Sequence, residues 1–179
     1  MEHNSDEGEG RPPVSDAGGG KRASLVSGNE IARVLYVDLV GDPVALGRPR
    51  LTIAGGKPVA YTPTKTRTYK SALQSEMRKE MEASEGRSLM TGPLIIEVAA
   101  YFAIPKSWPK WRQQAAGRGE WLHTSKPDGD NVLKMVLDAG TGVVFVDDAQ
   151  AYDKRVFKGY GWVPRVEVTI TEVAQWQRK

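Results

Sequence analysis

The sequence predicts an α+β fold, a single domain in which a mixed, mostly antiparallel sheet is packed by helices. Strand-like and helix-like segments interleave irregularly, unlike the regular alternation of a wound parallel sheet. Two segments, 64–85 and 131–139, space their apolar residues as helices do. The length of 179 residues suits one domain with a real core and is too short for two large ones.

Residues 1–30 read as a disordered acidic tail. Gly, Ser, Glu and Pro dominate (Glu7-Gly8-Glu9-Gly10, Pro12-Pro13, Gly18-Gly19-Gly20), and without apolar periodicity they cannot bury enough surface to offset ordering entropy. The folded domain is therefore expected over 31–179. Residues 32–40 alternate as a strand through Val34, Tyr36, Asp38 and Val40 and stop at Gly41-Asp42-Pro43. Leu51-Thr52-Ile53 and Val59-Ala60-Tyr61 flank Gly55-Gly56, a hairpin signal. The segment 64–85 places Tyr69, Leu73, Met77 and Met81 at i+4 spacing, with Gly86 as its stop. A strand is expected over 94–104, between Gly92-Pro93 and Pro105, and a short helix over 110–116. The helix 131–139, with apolar Val132, Leu133, Val136 and Leu137, ends at Gly140-Thr141-Gly142. Three strands should follow, 143–146, 151–158 and 165–172, the last two as an antiparallel pair turning at Gly159-Tyr160-Gly161.

Composition removes several chemistries. There is no cysteine, hence no disulfide, thiol nucleophile, Fe–S cluster or cysteine zinc site, and His3 and His123 are too few for an all-histidine metal site. Any metal must be held mainly by oxygen. With no apolar run of about 18 residues and no basic-then-apolar opening, neither a membrane span nor a secretory signal is expected, and the chain reads as cytoplasmic. The net charge of +3 conceals an acidic tail and a body, 31–179, at +6. Such a body suits a polyanionic partner but equally an ordinary soluble surface. Trp108, Trp111 and Trp121 stand among Lys106, Lys110, Arg112 and Arg118, which fits either base stacking with phosphate contact or core packing.

The most informative stretch is Lys126-Pro127-Asp128-Gly129-Asp130-Asn131, followed by Lys134, Asp138 and Asp147-Asp148-Ala149-Gln150. If the backbone before the helix is extended, Asp128 and Asp130 project from one face, and Asp130 falls at the N-cap, where the helix dipole favours a carboxylate. A helix over 131–139 climbs about 13 Å, and five extended residues from Val143 to Asp147 travel back about 16 Å. Asp147 or Asp148 would then return beside Asp128 and Asp130 in the oxygen-rich cluster that hard divalent cations require. Lys134 and Asp138 follow Asp130 at successive helical turns, so an ammonium lies near the acids and could stabilise charge on a phosphate. The plainer reading makes these pieces a turn with an N-cap, a surface ion ladder and a loop. A calcium EF-hand fails, because Val132 and Leu133 fall where the loop needs an oxygen ligand and glycine.

At these residues the chain resembles the RusA family of Holliday junction resolvases, small endodeoxyribonucleases of bacteria and their phages. The likeness continues through Gly142-Val143-Val144 to the aspartate pair and, more weakly, through Gly47-Arg48-Pro49-Arg50, Tyr61-Thr62-Pro63, Tyr69 and Gly92-Pro93-Leu94, covering roughly 33–173. The resemblance implies a RusA-like fold and hydrolysis of DNA phosphodiesters dependent on Mg2+, with Mn2+ as a substitute. Asp128, Asp130 and Asp148 match the family's metal-binding acids and Lys134 its catalytic lysine, with Asp147 as a helper and Asn131 and Asp138 as orienting residues. It further implies a homodimer making paired cuts in four-way or other branched DNA, in recombination or repair. Arg48, Arg50, Lys57, Lys65, Arg67, Lys70 and Lys126 are expected phosphate contacts. Gly129 replaces an apolar residue common between the two aspartates and is expected to loosen the backbone there. The competing functions are a branched-DNA-binding module with a structural metal site and a less selective branched-DNA nuclease.

Overall fold

The computed structural model describes residues 31–47, 50–55, 57–84 and 88–174. The expected tail, Arg48 and the Gly86 helix stop lie outside the described residues. Six strands and three helices follow in order: β1 (Ile31–Val40), β2 (Arg50–Ala54), β3 (Lys57–Tyr61), α1 (Thr64–Ala83), β4 (Leu94–Ala103), α2 (Lys110–Gly117), α3 (Gly129–Gly140), β5 (Ala151–Gly161) and β6 (Arg165–Val173), with a 3-10 turn, Asp148–Gln150, before β5. The main sheet has the order β1-β6-β4-β5. Its β1–β6 and β6–β4 pairs are antiparallel and β4–β5 is parallel, so the sheet is mixed and mostly antiparallel, as expected.

One face of this sheet is dry. Leu35 and Val37 of β1, Ile96 and Val98 of β4, and Val168 and Ile170 of β6 form a buried cluster with Leu73, Met77 and Met81 of α1 and Val132 and Val136 of α3. Side chains at two-residue spacing on strands and three- or four-residue spacing on helices meet here, and each contributes about 1.5–3 kcal/mol when fully buried. The alternation located β1 correctly, but the row through Tyr36 and Val40 is exposed and the intervening residues face the core. The opposite face stays wet and is laced by ion pairs: Arg155 with Glu97 and Asp153, and Arg165 with Glu167.

Two expectations are corrected. β5 and β6 do not pair, because β4 lies between them and the chain crosses it through Trp162, Val163 and Pro164. Gly159 and Gly161 are strand residues whose missing side chains make room for aromatic packing. A Cβ on Gly159 would meet the Phe157 ring at 2.8 Å, and one on Gly161 would meet Tyr101 Cβ at 3.2 Å. The segment 143–146 is likewise not a strand. The amides of Val143, Val144 and Phe145 all turn back to the Gly140 carbonyl, which buries Val144 and Phe145 against the end of α3.

The expected hairpin forms, with Arg50 opposite Tyr61 and Ala54 opposite Lys57. Gly55 has φ +59°, the left-handed conformation glycine tolerates best, at the turn. β2 and β3 make their own two-stranded sheet, and Leu51 and Ile53 stand exposed on it.

Candidate active site

Helix α3 starts at Gly129, two residues earlier than its apolar spacing indicates, so Asp128 is the N-cap and Asp130 lies in the first turn. Asp128 has extended backbone (φ −69°, ψ 145°), and its carboxylate makes no capping hydrogen bond. The early start has a packing cause. Gly129 lies against β5, where a Cβ would come 3.3 Å from Val156 Cγ1. The amides of Asn131 and Val132 close the turn on the Asp128 carbonyl at 3.2 and 3.3 Å. Gly129 therefore does not loosen the backbone; it lets the helix sit down on the strand. Both residues are exposed, at the positive end of the helix dipole.

Two contacts absent from the sequence reading fix this end of α3. Lys158 Nζ donates to the carbonyls of Ser125 and Pro127, each at 2.8 Å, pinning the segment that carries Asp128. The Leu46 amide donates to the Asn131 carbonyl at 2.9 Å, tying down the loop after β1. Lys158 shares a strand face with Val156, so period-two spacing could have found it had β5 been placed beside β4.

Lys134 Nζ lies 3.2 Å from Asp130 Oδ2, and both side chains are more than half exposed. An exposed i,i+4 pair contributes only about 0.3–0.5 kcal/mol. The ammonium is thus held near the acids but released at little cost to a phosphate. Asp138 is engaged by Lys70 of α1 at 2.7 Å. These two expected site residues join the helices to each other.

Asp147 and Asp148 fall elsewhere. Asp147 Oδ1 accepts from the Ala149 amide and caps the 3-10 turn, while the Gln150 side chain donates to the carbonyls of Met90 and Gly92. This knot lies where β5 begins, Ala151 opposite Leu94. The start of α3 instead lies over Val156. Helix α3 therefore runs back along β5, and Asp130 and Asp148 are near its opposite ends, separated by about 15 Å of helical rise. The expected return path fails because 143–146 folds back instead of extending. Among the described residues no three acidic or histidine side chains are grouped to hold a metal ion. Shared ligation of Mg2+ needs oxygens about 2.1 Å from one ion. The donors are of the right hard-oxygen type, yet one chain does not bring the proposed set together.

Of the expected DNA contacts, Lys57, Lys65, Arg67 and Lys126 are exposed. Arg50 opens β2. Lys65 and Arg67 lie in the first turn of α1, and Gly47, next to the Leu46 anchor, lies 3.9 Å from Thr66 Oγ1 when given a Cβ. Lys65, Arg67 and Lys126 therefore lie at the end of the molecule that carries Asp128 and Asp130.

His123 is packed, 8% exposed, with its ring stacked on Phe102 at 4.0 Å. Burial first, and then the charge of Lys158, push the imidazole below its ordinary 6.5. Because the folded value is depressed, the unfolded chain takes up a proton near pH 6.5 that the folded chain resists. Stability is then fully present above pH 6.5 and is lost as pH falls through and below it. Melting temperatures at pH 7.5 and 5.5 should drop more for the wild type than for His123→Phe; equal drops would show that this histidine carries no such linkage.

The family profile described as "Endodeoxyribonuclease RusA" matches residues 41–171. The chain is also 38% identical over 139 residues to the "Uncharacterized protein YqaN" of Bacillus subtilis (strain 168), an alignment covering 75% of this chain and 93% of that protein. Among the described residues no helix is long and apolar enough to cross a membrane.

Proposed function

Since the chain belongs to the RusA family of endodeoxyribonucleases, we propose that it resolves four-way DNA junctions by paired, Mg2+-dependent phosphodiester hydrolysis in recombination or repair, with Mn2+ able to substitute. The observation carrying this reading is the grouping at the start of α3: two outward carboxylates, a loosely paired Lys134 and nearby surface cations. Asp128, Asp130 and Asp148 hold the metal, with Asp147 beside them. A divalent cation held by these carboxylates would supply polarisation of the scissile phosphate and a more acidic water. Lys134 leaves Asp130 to stabilise charge on the phosphate. Lys158 and Asn131 keep the acidic segment in place, and Asp138 does so through Lys70.

The separation along α3 adds a condition. A second copy must bring its Asp148 to the Asp128 and Asp130 of the first, so the homodimer is a requirement for cutting. A twofold assembly builds two such sites, matching the two cuts. Lys57, Lys65, Arg67, Lys126 and the arginines flanking Pro49 supply salt-sensitive phosphate contacts.

The test is cleavage of a labelled four-way junction beside a matched linear duplex, with Mg2+ or EDTA, using wild type and Asp130→Asn. The wild type with Mg2+ should cut the junction in paired strands, and Asp130→Asn should bind it while cutting at least about 100-fold more slowly. The separated acids also favour a second reading, a branched-DNA-binding module. Wild type that binds junctions but never cuts them would establish that reading and sink the first.

A further inference from the structure

A group of aromatic side chains stands at the same end of the molecule as the acids. The Phe102 and Tyr160 rings, at the ends of β4 and β5, flank His123, at 4.0 and 4.9 Å between centroids. Trp108 meets Tyr160 at 5.0 Å and Trp121 at 6.3 Å, and Trp121 meets Trp111 at 6.3 Å, all edge to face. The inner rings pack, but Trp111 is 62% exposed and Trp121 38%. Indoles that only filled a core would not leave that much apolar surface in water.

Arg112 is held within this group. Its guanidinium carbon lies 3.6 Å from the Trp108 ring centroid and 4.3 Å from that of Trp121. Arg118 and Arg155 spend their charge on carboxylates. Arg112 has no such pair among the described residues, and its Nε is buried without a hydrogen-bond partner. Two rings thus fix a cation whose charge and donors are unspent, beside an uncovered indole. A guanidinium fork suits phosphate and an indole face suits a nucleobase.

We infer that Trp111, Trp121 and Arg112 form a seat for one unstacked nucleotide of branched DNA, the base on the indoles and its phosphate on Arg112. The inference rests on the endonuclease reading and names the part of the substrate that reading leaves unspecified. Bases inside a duplex are covered by their neighbours, so an exposed indole can stack only on one that has left the helix, as at a crossover. Lys106, whose carbonyl accepts from the Gln113 side chain, and Lys110 at the start of α2 favour a polyanion over a second apolar surface. The seven steps of chain from Trp121 to Asp128 span at most about 25 Å. Lys158, two residues before Tyr160, also pins the carbonyls of Ser125 and Pro127. Seat and acids therefore share one frame, a few nucleotides apart.

The experiment measures affinities of full-length wild type, Trp111→Ala and Trp111→Phe for a four-way junction and for a linear duplex, and the fluorescence of 2-aminopurine placed at the crossover. Trp111→Ala should bind the junction at least about fivefold more weakly while changing little on duplex. Trp111→Phe should keep most of the affinity, and quenching of the 2-aminopurine on binding should diminish in the alanine variant. Arg112→Met should lower the salt dependence of junction binding by about one ion. Unaltered junction binding and quenching in Trp111→Ala overturn the seat while leaving the endonuclease reading standing. Loss of dimer by light scattering in that variant also overturns it, because the surface would then be an interface between copies. Wild type that binds no junction sinks both.

Discussion

Co-assembled dimers of Asp130→Asn and Asp148→Asn chains should nick a four-way junction that neither variant cuts alone. If each site takes Asp128 and Asp130 from one chain and Asp148 from the other, a mixed dimer places both substitutions in one site and leaves the second intact. About half of randomly paired dimers then carry one working site. One working site gives one incision, so the product is a nicked junction and not two resolved duplexes. If all the acids acted within a chain, both sites of the mixed dimer would be damaged and no nicking would return. The assay therefore decides between the two arrangements by the presence and the kind of product. The expectation follows from the position of the two acids near opposite ends of α3 and from the absence of a metal-holding group among the described residues.

Gly140→Ala should destabilise the protein, against the trend for helices. In an open helix that change contributes up to about 1 kcal/mol of stability. Here the new methyl would lie 2.5 Å from Phe145 Cε1 and 2.7 Å from Cζ. Phe145 is wholly buried and has nowhere to retreat. Overpacking of this kind costs about 1–3 kcal/mol, or several degrees of melting temperature for a chain of this size. Thermal unfolding of Gly140→Ala, Phe145→Leu and the double variant checks it. Shortening the ring removes the clash, so the double variant should be more stable than the sum of the single losses. A Gly140→Ala protein that melts at or above the wild-type temperature would mean that the Phe145 ring has room to give way.

Local patterns were readable where the chain's own spacing decides the outcome. Leu73, Met77 and Met81 repeat every four residues, and α1 buries them. The turn at Gly55 sets its own hairpin. Asp128, Asp130 and Lys134 come together because they begin one helix, and no distant segment is needed to place them. Pairing between remote strands was not readable, since the alternation of β6 marks it as a strand but does not identify its neighbours. Val143-Val144-Phe145-Val146 has strand composition, yet burying Phe145 under the end of α3 outweighs local preference. That one segment also carried the expected path of Asp148, so its turn back to Gly140 changed where that acid lies within one chain.

The order of strands bears on how the protein is made. β1 has β6 as its one neighbour in the main sheet, and β6 lies between β1 and β4. The centre of the sheet is thus filled by its last-synthesised strand, and β1 must wait, unpaired, until residue 173 has left the ribosome. Long-range closure of this kind is slow and leaves the strand edges of an incomplete chain exposed to aggregation. Chains broken off before β6 cannot assemble the sheet on which α3 rests. An interrupted translation product therefore lacks the frame that positions the start of α3.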